Sequence, residues 1–362
     1  MGGYEFPLNP TKGDVYELLT GISKNKVLEG LSDEERVEIW NGWRKRGNVP
    51  PVLRGLEFVG WGSSKFDLSR VFFNGCSFSS ATFLGIRMTA SVFKKCKFKG
   101  VNFLGTSLQN VRMSACFFTD VTFKTGNLEG SDFEESFFVS VYFKEANLKK
   151  SKFFKAHFRF VNFLNCEMDK VNFREVTATK TDWEKCNLKG AHFEGSSVFG
   201  RFIESDLTGA DFEKAQLEVS SFMGDTECMN VNFKGAELSR AGVWANCRGA
   251  SFVGANLIST IFSGADLTGA DFAGAVVEKE QLERGKNLRK AKNVKKIVPP
   301  GIKLSVVPLE EEAGMLDSPG VAASSLSRVE QRDMVKVELN WFDRLRDRIQ
   351  FGWAKLKRRF KN

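Results

Sequence analysis

Histidine is nearly absent from this chain of 362 residues, which holds two, His157 and His192. No metal-ligand cluster, nucleophile motif or phosphate-binding loop is found, so no catalytic, metal or cofactor residue is assigned and an enzyme is not expected. The seven cysteines contain no CxxC pair and are odd in number, which fits a reduced compartment with packing thiols. No segment approaches the roughly 20 apolar residues that cross a bilayer. The opening MGGYEFPLNPTKGD lacks a basic region followed by an apolar stretch, so no secretory signal is expected. Met1-Gly2 starts like a myristoylation signal, but Phe6 stands where Ser or Thr is wanted. The body also lacks net charge. Residues 1–55 sum to 0, 56–276 to +1 (25 Lys/Arg against 24 Asp/Glu), 277–339 to +2 and 340–362 to +6. The basicity therefore lies at the end of the chain, which suggests an anionic partner for that end rather than a nucleic-acid-binding body.

What the chain has in excess is phenylalanine, 35 against 3 tyrosines. From Leu68, steps of five land on Phe73, Phe78, Phe83, Met88, Phe93, Phe98, Phe103 and Leu108, and on apolar residues without a slip as far as Val198. Two residues before each stands a small or β-branched one, as at Cys76, Ala81, Ser91, Cys96 and Val101. A helix cannot hold a period of five on one face, and a flat strand has period two. The period suits a polygon in which each unit is one side, with its small and large residues inward and three residues outward, coils stacking at about 4.8 Å. Positions 68, 88, 108, 128, 148, 168 and 188 are Leu or Met while the three sister sets are dominated by Phe. One side in four differs, so the coil has four sides and 20 residues.

GADLTGADF at 264–272 and ESDLTGADF at 204–212 carry a resemblance to the pentapeptide-repeat family, over about 58–275. The resemblance implies a right-handed quadrilateral parallel β-helix. The fold expected is an all-β solenoid of about 11 coils, with helical N- and C-terminal caps and a separate C-terminal amphipathic helix. The boundaries read as an N-terminal helical cap at 1–55, repeats at 56–276, a cap helix at 277–298, a linker at 299–327 and a basic amphipathic helix at 328–362. Within the first cap, helices are expected over 12–23 and 32–46, the second opened by Ser32 and Glu35 in capping-box spacing. The period slips between Val198 and Phe202, near 223–228 and between Val243 and Phe252, which reads as bulges or small loops at corners.

His157 and His192 each precede an inward Phe and should face outward. Asp206, Asp211, Asp266 and Asp271 occupy the family's Asp position and are read as serving turns. Cys76, Cys96 and Cys116 share one ladder and Cys166 and Cys186 another, as reduced packing residues, because stacked parallel Cβ vectors suit a disulfide torsion poorly. Outward positions should be polar unless something docks there. Phe117 and Phe137, 20 apart, should stack on one outer side, with Val139, Tyr142, Phe154 and Phe160 in neighbouring coils and Leu84 and Leu104 as a second outward ladder. We expect this patch to bind a protein partner. The lysines at 94, 95, 97 and 99, and at 149, 150, 152 and 155, read as solvated surface.

In the last segment Phe342, Leu345, Ile349, Trp353, Leu356 and Phe360 form one apolar stripe at 3–4 spacing, with Trp341, Arg344, Arg348, Lys355, Arg358 and Arg359 around it. Such a helix would anchor in a partner groove or on an anionic membrane surface. The function expected is therefore a non-catalytic scaffold or linker that joins components of a larger assembly; a homodimer is compatible with it. The family's distribution in cyanobacteria and plastid-bearing lineages points to a cytoplasmic or stromal protein peripheral to a membrane such as the thylakoid, in a photosynthetic complex. Mimicry of duplex DNA towards DNA gyrase, the best-known activity of the family, needs strong negative potential, which a near-neutral rod does not supply. Nucleic-acid binding remains only as an alternative for the basic tail.

Overall fold

Each five-residue unit forms one side of a square coil in the computed structural model of the chain, and successive coils pair in parallel. The structure describes residues 12–20, 31–45, 52–59, 62–63, 66–297 and 299. The chain divides into two units, Met1–Pro300 and Gly301–Asn362, and every described residue belongs to the first. The basic segment 328–362, and the linker 299–327 apart from residue 299, thus lie outside the described residues.

The four sides stack into four faces. Face I runs Leu53, Phe73, Phe93, Met113, Phe133, Phe153, Phe173, Phe193, Phe212, Phe233, Phe252 and Phe272, eleven coil steps from end to end. Face II starts Phe58, Phe78, Phe98, Phe118, Phe138, Phe158. Face III runs from Phe83 through Phe163, Trp183, Phe202 and Phe222 to Val243 and Phe262. Face IV is the Leu/Met ladder from Leu68. All these inward side chains are buried. Phenylalanine suits the lattice because its ring stacks on the ring one coil away, as in Phe78–Phe98 at 5.0 Å and Phe98–Phe118 at 4.9 Å. It also meets the adjacent face edge-on, as in Phe118–Phe133 at 5.9 Å. Both geometries are favoured by the ring quadrupole, at about 0.5–1.5 kcal/mol per pair.

The small inward position accepts polar atoms because carbonyls lie within reach. The buried hydroxyls of Ser91, Ser131 and Ser151 donate to the carbonyls of Leu68, Leu108 and Leu128 at 2.8, 3.0 and 3.0 Å. Thiols do the same more weakly, Cys76 to Leu53, Cys96 to Phe73 and Cys116 to Phe93. All seven cysteines are free and buried. Cys228 and Cys247 occupy large inward positions instead, as rungs of face IV. The thiol of Cys96, hydrogen-bonded along its ladder and buried, has its pKa pushed up to about 12, and burial raises those of Cys186 and Cys228 well above the ordinary value. These thiols are poor nucleophiles.

At the N-terminal end, α1 (Lys12–Thr20) and α2 (Asp33–Lys45) cover the first coil. The expected capping box is present: Ser32 N–H donates to Glu35 at 2.8 Å and Glu35 N–H to the Ser32 hydroxyl at 3.3 Å. Trp40 Nε1 donates to the Asp67 carbonyl at 2.7 Å and the Arg44 guanidinium to that of Ser69, so α2 satisfies carbonyls of the first turn.

The C-terminal cap is not the single helix that 277–298 suggested. α3 spans only Lys279–Glu283, followed by 3-10 turns at Leu288–Lys290 and Val294–Lys296. Asn287 and Asn293 adopt φ of 61° and 56°, which ends helical propagation. Lys286 and Lys292 pair with Asp266 and Asp271, so the chain traces one more coil with helical turns in place of strands. Leu282, one coil after Phe262 in this register, is buried, and Gln281 Nε2 donates to the carbonyls of Leu257 and Thr260 at 3.3 and 3.0 Å.

The period slips have distinct shapes. Trp183 replaces Phe on face III while Ala178 replaces Phe on face II, and the strands Thr177–Glu184 and Ser197–Ile203 run through the corner between the two faces with a register shift at Thr179/Thr181. From Ala178 onward face II is aliphatic, with Val198, Leu217, Leu238, Leu257 and Val277. The residue gained in 223–227 and the residue lost between Val243 and Cys247 lie at the same corner in successive coils, so they cancel in register.

Candidate docking faces

Outward side chains divide the shaft into two kinds of face. Face IV outward is a polar ladder, in which Asn147 Nδ2 donates to Asn127 at 3.2 Å, Asn187 to Glu167 at 3.0 Å and Asn246 to Glu227 at 2.7 Å. The Asp residues of the repeat serve turns, as expected. Asp206, Asp211, Asp266 and Asp271 accept from the N–H two residues on, at 3.0, 2.9, 3.0 and 3.0 Å. On face I, His192 Nδ1 lies 3.1 Å from Glu194, which also takes the Arg174 guanidinium at 2.7 Å. Burial opposes the charge of Glu194, but these partners hold its carboxyl below the ordinary value. This is an ion-paired surface.

Face II is different. Phe117 and Phe137 stack with ring centroids 5.0 Å apart and planes at 7°, and His157 continues the column at 4.7 Å and 14°. Partial desolvation holds the His157 pKa below its ordinary value. Beside the column, Thr119, Val139, Arg159 and Thr179 form a parallel ladder. Phe160, at the next corner, lies under Arg159 at 5.4 Å and Lys180 at 4.9 Å. The sequence placed Phe117, Phe137, Val139 and Phe160 together, and so does the structure.

The rest of the expected patch falls elsewhere. Phe154 is outward on face I, against Lys155 at 5.0 Å, while Tyr142, Leu84 and Leu104 are outward on face III, opposite Phe154. Closeness in sequence misled here, because five residues turn the chain by one side. The basic-helix residues Trp341, Phe342, Arg344, Leu345, Arg348, Ile349, Trp353, Lys355, Leu356, Arg358, Arg359 and Phe360 lie outside the described residues.

A second apolar strip, which the sequence reading missed, lies on face III towards its C-terminal end. Ile203 and Met223 pair across coils, Trp244 follows in the next, and Ile261 pairs with Gly242. Trp244 folds over Gly242, where a Cβ would meet its ring at 2.1 Å. Trp244 and Ile261 are exposed. The register slips hide this strip from steps of five; a count that restarted at Phe202, Phe222 and Val243 would have aligned it.

Among the described residues no group of three or more His, Cys, Asp or Glu is placed to hold a metal ion, and no described helix is long and apolar enough to cross a membrane. A shallow cleft of about 270 Å³ between Ile261, Gln281 and Arg284 falls below the usual size of ligand pockets.

Residues 66–140 and 127–201 match the family model described as pentapeptide repeat region, and residues 243–277 match pentapeptide repeats (8 copies). The unmatched stretch between them, 202–242, begins where the first slip ends and holds the second, at 223–228. Among solved structures, the chain is similar to HetL, a pentapeptide repeat protein involved in heterocyst differentiation regulation from the cyanobacterium Nostoc sp. strain PCC 7120. The identity is 17%, over 68% of this chain and 93% of that one, with a TM-score of 0.23. It is also similar to full-length QnrB1, a plasmid-mediated fluoroquinolone resistance protein, at 18% identity over 64% and 96%, TM-score 0.22. A pentapeptide repeat protein from the Arabidopsis thaliana thylakoid lumen is 25% identical over 30% and 73%, TM-score 0.23. No curated protein matches the chain.

Proposed function

We propose that this chain, a pentapeptide-repeat protein, is a non-catalytic scaffold whose rigid shaft presents face II to a partner protein. The observation that carries this reading is the outward column Phe117–Phe137–His157, with Phe117 41% exposed. Nothing in the interior requires aromatic rings at these positions, since outward residues elsewhere on the shaft are commonly Asn, Lys, Glu or Thr. Contiguous exposed aromatic surface is characteristic of interfaces. A strand face locked by coil-to-coil hydrogen bonds is rigid before binding, which lowers the entropy that association costs. The basic segment 328–362 supplies a second attachment, to an anionic surface.

The test is a mild-detergent pull-down from the native host with wild-type protein and with Phe117→Ser/Phe137→Ser. Loss of specific partners from the variant, with its thermal stability unchanged, is the expected outcome. Recovery of the same partners would remove face II as the docking face. The tail is tested separately, by flotation with anionic liposomes of the full chain against a truncation ending at Val298; equal flotation sinks the membrane attachment.

A further inference from the structure

The chemistry of the partner can be narrowed, an inference that rests on face II being the docking face. Because Phe117, Phe137 and His157 stack on one another with nearly parallel planes, four of their six ring faces are spent on each other, the two end faces lie towards the Lys97 and Thr177 rungs, and the column offers edges to solvent. A base or sugar that binds an aromatic needs the ring face. This column is therefore poorly built for nucleic acid or glycan, and well built for aliphatic side chains. Ring edges also carry the positive side of the quadrupole.

The charge around the column has one sign. From Ser77 to Phe199 the outward strand positions of face II include Lys97, Lys99 and Arg159 and no carboxylate, in a repeat body whose acids and bases are nearly equal in number. The flanking corners carry Asp120, Glu135 and Glu175 against Lys95, Lys155 and Lys180, with Lys155 and Glu175 paired at 3.6 Å, so they add no net charge. Neither Lys97 nor Lys99 has an ion-pair partner among the described residues. Cations thus stand at both ends of the apolar column, Lys97 and Lys99 one coil before Phe117 and Arg159 beside His157.

The backbone of this face is already paired coil to coil, as in Phe117 N–H to the Cys96 carbonyl at 3.0 Å and Phe137 N–H to that of Cys116 at 2.9 Å. An extended peptide laid on it would find no strand edge to pair with. A helix brings its backbone satisfied. We propose that face II between Lys97 and Arg159 receives an acidic amphipathic helix of a partner protein. Its apolar stripe would lie on the ring edges and Val139, with carboxylates towards Lys97 and Lys99 at one end and Arg159 at the other. Three coil steps separate these ends by about 14 Å, which a helix covers in about nine residues.

The probe is a fluorescent amphipathic helical peptide of about 18 residues with a leucine stripe flanked by glutamates, and a control with lysine at each glutamate. Binding is followed by anisotropy with the full-length protein. The acidic peptide should bind. Phe117→Ser/Phe137→Ser and, separately, Lys97→Glu/Lys99→Glu should each weaken it about tenfold, and the second variant should gain affinity for the lysine peptide. If the lysine peptide binds wild type with the same dependence on Phe117 and Phe137, face II docks partners but the acidic partner is wrong. Acidic-peptide binding that neither double substitution changes places the contact elsewhere, such as the basic tail, and overturns the proposal, as does failure of the acidic peptide to bind. Phosphatidylserine vesicles or oligothymidylate whose binding falls in Phe117→Ser/Phe137→Ser would likewise overturn it, in favour of lipid or nucleic acid.

Discussion

The carbonyl oxygen of Thr181 occupies the place where a side chain at residue 200 would begin: a Cβ on Gly200 would lie 2.1 Å from it. The coil from Ala178 to Val198 has 20 residues, but Trp183 to Phe202 has 19, and the lost residue brings the two strands together at Gly200. Backbone contact of this kind cannot be relieved by a rotamer change. Gly200→Ala should lower stability by several kcal/mol, of the order of 3, read as a fall in the chemical-denaturation midpoint. Gly254→Ala is the control for space alone, with nothing within 4 Å of its Cβ, and its smaller loss should reflect the left-handed backbone only.

Ala178 and Trp183 fill, on adjacent faces of one coil, positions held one coil earlier by Phe158 and Phe163, whose rings lie 5.9 Å apart. The larger Trp183 takes space that the smaller Ala178 gives up. Ala178→Phe alone should overpack the coil and cost about 1–3 kcal/mol. Combining it with Trp183→Phe should restore the Phe/Phe arrangement and recover much of that loss. A double-mutant cycle with an interaction energy near zero would show that the two sites pack independently.

These two positions show what a sequence reader could and could not see. The step of five was legible because every large inward residue obeys one rule, to fill a slot between identical slots, and Phe117 over Phe137 follows from the same arithmetic. Tyr142 and Phe154 look like neighbours of that pair, yet they sit on faces III and I, because only the count of sides and not the distance in sequence sets direction. Ile203, Met223, Trp244 and Ile261 were invisible for a related reason. Ile203, Met223 and Trp244 come into line only after one residue is lost and one gained, and Ile261 reaches the same face, beside Gly242, after one more is lost; such adjustments go with backbone contacts like that of Gly200 on Thr181. The C-terminal cap was misread because its lysines and leucines suit a helix, whereas pairing of Lys286 and Lys292 with the coil below outweighs that propensity.

Val219 is a β-branched residue at φ 53° and 55% exposed. The left-handed region disfavours such a side chain by more than the usual 1–2 kcal/mol, while glycine there loses about 0.5–1 kcal/mol through its freer unfolded chain. Val219→Gly should therefore stabilise the protein by about 1 kcal/mol, detected as a raised unfolding midpoint. A lowered midpoint would mean that the exposed valine makes a contact worth more than its strain.

The turn aspartates make the shaft sensitive to acid. At Asp271 the Asn293 amide at 2.8 Å lowers the pKa of the carboxyl, burial opposes this, and the Ala273 N–H at 3.0 Å adds to the lowering. At Asp266 and Asp206 burial works the other way but is outweighed by bonds from Thr268 and Asn287, and from Thr208 and Lys189. A carboxyl whose folded pKa lies below its unfolded value stabilises fully above the unfolded value, near 3.9, and loses that contribution as pH falls through the folded one. Stability should thus be flat with respect to these groups from neutral pH down to about 5 and decline below about 4. Asp206→Asn/Asp266→Asn/Asp271→Asn keeps an amide oxygen that can accept from the same N–H groups but has no proton to take up. The triple variant should lose some stability at neutral pH and fall less steeply between about pH 4 and 2. An acid limb of unchanged slope would assign the acid response to other carboxylates of the shaft, such as Glu194 beside Arg174 and His192.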